Sequence, residues 1–130
     1  MSAAARQLVS TGSPFERQAG YSRAVAQGPV CEVSGTTGYD YAGMTMPEDV
    51  GAQTENALAT IEKALKDAGF AMSDVVRVRY IVTDAAYADA VFAVTGRWFG
   101  EIRPAATMMV AGLIRPEMKV EIEASALRAG

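Results

Sequence analysis

This 130-residue chain contains no histidine and one cysteine. Any chemistry it performs therefore falls to carboxylates, tyrosines, hydroxyls, lysines, arginines or backbone amides. The most telling carboxylates stand in Lys119-Val120-Glu121-Ile122-Glu123-Ala124-Ser125-Ala126. The stretch alternates strictly: Val120, Ile122, Ala124 and Ala126 point one way, Lys119, Glu121, Glu123 and Ser125 the other. That is a period-two strand with one buried face. Strands disfavour Glu, so two carboxylates on one strand face suggest a role beyond packing. Either acid can also serve as a solvated or interface-paired charge, with Arg77 or Arg79 as partner. For Glu123 a structural ion pair is the better reading. Thr107, in Arg103-Pro104-Ala105-Ala106-Thr107-Met108-Met109-Val110, offers a hydroxyl but is also simply a good strand residue. Met108 and Met109 read as strand packing, one inward and one outward, the outward one suited to a variable cleft wall.

These groups need elements to hold them. Tyr21 to Gln27 reads as a strand, Gly28-Pro29 as a tight turn and Val30 to Gly35 as the returning strand. Gly12-Ser13-Pro14 is a turn signal, and Thr36 to Thr45 is a polar, Gly-rich loop. Pro47-Glu48-Asp49 opens a helix whose stripe is Val50, Thr54, Leu58, Ile61, Leu65 and Ala68, with Gly69 as its stop. A strand from Asp74 to Val82 puts Val76, Val78, Tyr80 and Val82 on one face and Arg77, Arg79 and Ile81 on the other. Thr83-Asp84 caps a second helix through Phe99, with Tyr87, Val91, Val94 and Trp98 inward and Gly100 at its end. Strands at Ala106–Val110 and Lys119–Leu127 close the chain. The expected architecture is α+β, β-β-β-α-β-α-β-β: one mixed sheet with two helices on one face. The opposite face, half apolar and half charged, must meet water or another subunit.

Composition narrows the function. One domain over residues 1–130 fits the length, and half the residues are apolar, enough for a core without staples. No run is long enough to span a bilayer, and no signal peptide opens the chain, so a cytoplasmic protein is expected. Cys31 lacks a partner for an internal disulfide and reads as a small buried apolar residue. With no His and one Cys, no metal or other cofactor is expected. A net charge of -3 without a basic cluster makes nucleic acid an unlikely partner.

Taken in order, the motifs resemble the RidA/YjgF family, also called the L-PSP endoribonuclease family. They are Tyr21 before the first hairpin, Val33-Ser34-Gly35 at a strand end, and Val50 to Leu58 at the start of the first long helix. Asp74 to Arg79 with Val82-Thr83-Asp84, Arg103-Pro104-Ala105, and Val120 to Ala124 follow. The likeness covers nearly the whole chain. It implies a chorismate-mutase-like fold, a homotrimer and three clefts, each between neighbouring subunits and holding a small-molecule ligand. It further implies hydrolysis of reactive enamines or imines to keto acids and ammonia. In that chemistry an Arg directly after Pro-Ala clamps the substrate carboxylate, and a Glu of the last strand handles water. By this likeness Glu121 is the catalytic candidate, and Tyr21, Ser34, Gly35, Phe92, Ala106, Thr107 and Met108 line the cleft. The chain departs at Ala106, where the family has its Arg, at Met108, where Cys is common, and at Phe92, where Asn is frequent. It thus resembles a divergent branch without the clamp, with Arg23, Arg79 and Arg103 as substitutes to consider. Two further readings stand beside hydrolysis: a non-catalytic small-molecule-binding or stress-protective module, and, last, a ribonuclease.

Overall fold

The computed structural model describes residues 5–129. Three strands precede the long helix, as expected. They are β1 (Gln7–Val9), β2 (Ala24–Gln27) and β3 (Val30–Thr36), with a short helix α1 (Pro14–Ala19) between the first two. The Gly12-Ser13-Pro14 turn signal is in fact the start of α1. Ser13 caps it by accepting the Phe15 amide, and Pro14 occupies the first turn, where its missing N–H costs nothing. Then come α2 (Val50–Asp67), β4 (Val75–Val82), α3 (Ala88–Phe99), β5 (Ala105–Val110) and β6 (Val120–Leu127).

The strands form one sheet in the order β1-β2-β3-β6-β4-β5. Only β4 and β5 run parallel, because α3 carries the chain back across the sheet between them. The β2–β3 hairpin turns on Gly28-Pro29, with Gln27 opposite Val30 and Gly28 at φ 57°. Both long helices cover one face. The whole expected stripe of α2 is buried, and Val91 and Val94 of α3 are buried with Tyr87 and Trp98 packed at the margin. Against them lie Val78, Tyr80, Val82, Val120, Ile122, Ala124 and Ala126. Cys31 is fully buried, and burial pushes its thiol up, which makes it unreactive.

Three expectations are corrected. Val76 does not face the core and is 47% exposed. The β4–β6 register shifts between Val75 and Arg77, and this bulge gives the inward position to Val75. Pro47 stands ahead of α2 rather than in its first turn; Asp49 is the cap, accepting the Ala52 amide at 2.8 Å. Asp84 caps a 3-10 turn, Ala85–Tyr87, that leads into α3.

Candidate functional site

The alternation in β6 carries Glu121 to the face away from the helices, where it is partly buried between neighbours of both sheet halves. On one side it is in register with Ile81 of β4, and Ile81 with Met109 of β5. On the other side is an irregularity in β3. Val33 pairs with Ala124 and Thr36 with Ile122, so Ser34 and Gly35 together oppose Glu123. This bulge turns Gly35 toward the Glu121 side chain. A Cβ added at Gly35 would lie 2.4 Å from Glu121 Oε1 and 2.8 Å from its Cδ. Only glycine leaves the carboxylate that place.

The other charges of this face are engaged elsewhere. Arg79 pairs with Glu123 at 3.6 Å, the ion pair expected for Glu123. Arg77 donates to the Thr107 hydroxyl at 2.6 Å, and Ser125 donates to Glu32. Burial first, and the Glu123 charge second, raise the Glu121 carboxyl above its ordinary range; Arg23 acts in the opposite direction. An acid moved toward neutrality is better suited to exchange protons with water than a fully solvated one.

Arg23 is the group the sequence did not place. It lies just before β2, fully buried, beside α1. Its Nη1 donates to the Gly35 carbonyl at 2.8 Å and to Thr36 Oγ1 at 3.0 Å. Its Nη2 reaches the Tyr21 hydroxyl at 3.5 Å, and its Nε lies 3.5 Å from Glu16 Oε2. The Tyr41 ring covers the guanidinium at 4.9 Å. Glu16, itself buried, also accepts from the Ser10 hydroxyl and from Thr11. Arg23 is thus a fastening for the Ser34-Gly35 bulge. Ser34 is held as well, its hydroxyl donating to the Ser22 carbonyl at 2.6 Å. Tyr21 lies at the edge, 39% exposed, with burial raising its hydroxyl. Tyr21, Ser34, Gly35 and Glu121 therefore gather in one place.

Of the remaining candidates, Phe92 and Ala106 lie together on the other side of the sheet. Ala106 is in register with Val78 and Met108 with Tyr80, both core residues, so these two side chains lie on the helix side of the sheet. Thr107 and Met109 lie on the Glu121 side, which makes Met109, not Met108, the outward methionine. Ala106 shares a cavity of about 390 Å³ with Tyr80, Phe92, Phe99, Arg103 and Pro104. Phe92 is 48% exposed at its mouth. The sheet separates this cavity from Glu121, so the two halves cannot meet within one chain. A larger cleft, about 930 Å³, is elsewhere, between Val9–Thr11, the 39–47 loop and the outer side of α2. None of the candidate residues lines it.

The comparisons agree with the fold. Residues 11–128 match the family described as Endoribonuclease L-PSP. A solved Mycobacterium tuberculosis protein of the YjgF/YER057c/UK114 family is 46% identical, with a TM-score of 0.87 over 95% of this chain and 99% of that one. The Escherichia coli YjgF protein is 27% identical, with a TM-score of 0.79 over 84% and 88% of the two chains. An uncharacterized Streptomyces coelicolor protein is 32% identical over 98% of this chain and 96% of its own length. With its motifs, its sheet order and these relatives in agreement, the chain belongs to the Endoribonuclease L-PSP family, the RidA/YjgF group.

Proposed function

We propose that the protein is a cytoplasmic homotrimer that hydrolyses an enamine or imine in clefts between subunits, with Glu121 handling the water. The observation that carries this reading is the Glu121 carboxyl. It is partly buried and raised above its ordinary range, it is set against the Gly35 bulge, and neighbouring arginines are committed to other partners. In the reaction the Glu121 carboxylate takes a proton from water as the oxygen attacks the iminium carbon. It returns that proton to the nitrogen, then takes the proton of the carbinol hydroxyl as the C–N bond breaks and passes it to the departing ammonia, so that iminium and water become ketone and ammonium. Tyr21 and the Ser34-Gly35 bulge hold the substrate at the Glu121 side. Phe92, Ala106, Thr107 and Met108 belong to the edge that a neighbouring subunit brings.

Assembly is supported by the division of the candidates across the sheet and by the apolar edge itself. Phe92, Met109 and Val110 are all more than 40% exposed there, and such an exposed strand edge invites a partner. The ribonuclease reading has the charge of -3 and the lack of histidine against it. A non-catalytic binding module is favoured by one observation, the Ala106 that stands where the family's clamp would be.

Imines generated in situ from several amino acids separate the two readings. Hydrolysis by the wild type, its loss in Glu121→Gln and faster turnover of 2-imino acids in Ala106→Arg support the enzyme. Ligand binding without ammonia release in all three proteins overturns it and leaves the binding module.

A further inference from the structure

We infer that Arg103 is the anion-recognising group of the Ala106 cavity, and that it selects ligands carrying a carboxylate on an apolar, aryl-sized body. The inference deepens the proposed reading, since it concerns the same cleft, and it rests on that reading for the location of the ligand.

Three arginines are in a position to replace the absent family clamp, and the structure separates them. Arg23 is fully buried, held by Glu16 and spent on the Gly35 carbonyl and Thr36. Arg79 is paired with Glu123. Arg103 is exposed and lines the cavity with Phe92 and Ala106, and it is the one cation among the described residues that do so. Its backbone N–H donates to the Phe99 carbonyl at 2.8 Å, so it sits where the chain leaves α3.

The backbone at this position is unusual. Arg103 has φ 58°, one of two non-glycine residues with positive φ among those described. Helix exits of this kind favour glycine, and a residue with a Cβ is strained there. Packing does not account for the arginine, because the side chain is exposed. A cation at a strained position beside an apolar cavity points to a ligand that it meets there. The cavity walls are Tyr80, Phe92, Phe99 and Pro104, and Ala106 leaves open the space a longer side chain would fill. At about 390 Å³ the volume falls within the range of small-ligand sites. An aromatic body against these rings, with its carboxylate on the planar guanidinium, satisfies both parts of the site.

The test uses phenylpyruvate and its neutral analogue phenylacetone, with calorimetric affinities on the native assembly of wild type, Arg103→Gly and Arg103→Lys. Arg103→Gly removes the cation and relieves the positive φ, so its thermal midpoint stays level or rises. The expected result is tighter binding of phenylpyruvate than of phenylacetone by wild type. Phenylpyruvate affinity then falls on the order of 10- to 100-fold in Arg103→Gly, with phenylacetone unchanged and Arg103→Lys intermediate. Equal affinity of wild type and Arg103→Gly for phenylpyruvate overturns the inference. So does a wild type that fails to prefer the acid or binds neither compound. If phenylpyruvate binds through Arg103 while the phenylalanine-derived imine is not hydrolysed, the hydrolase reading fails and the Arg103 assignment stands.

Discussion

A single methyl group added at Gly35 tests the catalytic role proposed for the Glu121 carboxylate. In the native arrangement the new Cβ would stand 2.4 Å from Glu121 Oε1. Ordinary contact begins near 3.4 Å, so the carboxylate must retreat by about 1 Å, and a displacement of that size costs on the order of 10²-fold in rate. The fold pays little. Gly35 is not among the positive-φ glycines, so alanine fits its backbone and loses less entropy on folding, a gain of up to ~1 kcal/mol. The displaced Glu121 side chain offsets this with rotamer strain of about 1 kcal/mol. Gly35→Ala therefore keeps its thermal midpoint within a few degrees of wild type and loses about 99% of imine hydrolysis. Steady-state ammonia release and a thermal melt on the same preparation read both quantities. Full turnover in a well-folded Gly35→Ala protein would refute the placement of the chemistry at this carboxylate. A collapse of stability would refute the argument that the contact is soft.

Other outcomes follow from the same geometry. The Glu121 carboxyl is held above its ordinary value of 4.5, so the folded state binds this proton more tightly than the unfolded chain, and stability falls as pH rises from 4.5 through the folded value. Glu121→Gln should accordingly melt higher than wild type at neutral pH, with the difference shrinking as pH falls toward 4.5 and gone below it, and melts across that range check the sign. The Glu16–Arg23 pair is almost entirely buried, at 5% and 1% side-chain exposure. Glu16→Gln alone, which leaves the guanidinium uncompensated, should cost about 3–5 kcal/mol by urea denaturation, and the double variant Glu16→Gln/Arg23→Gln should recover much of it.

The parts of this fold that repeat were legible in the sequence. The α2 stripe and the β6 alternation repeat over enough residues to fix both an element and its buried face. Features that depend on one residue or on a partner strand were not legible. A single bulge moved Val76 outward, and nothing in Asp74 to Val82 signals it. Alternation separated Met108 from Met109, but only the parallel register with β4 decides which one shares the Glu121 face. Strand β1 is three residues long and α1 six, too short to leave a period. The burial of Arg23, considered from sequence only as a substitute clamp, depends on Glu16 of that unrecognised helix and on a loop tyrosine. The positive φ of Arg103, which sets it apart from the other arginines near the site, has no mark in the sequence beyond the proline that follows.

The proposed cleft takes Glu121 from one subunit and the Ala106 wall from the next. Subunit mixing tests that directly. Glu121→Gln removes the acid, and Ala106→Trp fills the cavity in which Ala106 lies. Each homotrimer should be inactive. Co-refolded in equal amounts, the two variants form mixed trimers in which about a quarter of all clefts carry neither lesion, for random assembly of a cyclic trimer. Recovery of about a quarter of wild-type imine hydrolysis is the predicted result. A mixture as inactive as its parents would contradict the shared cleft.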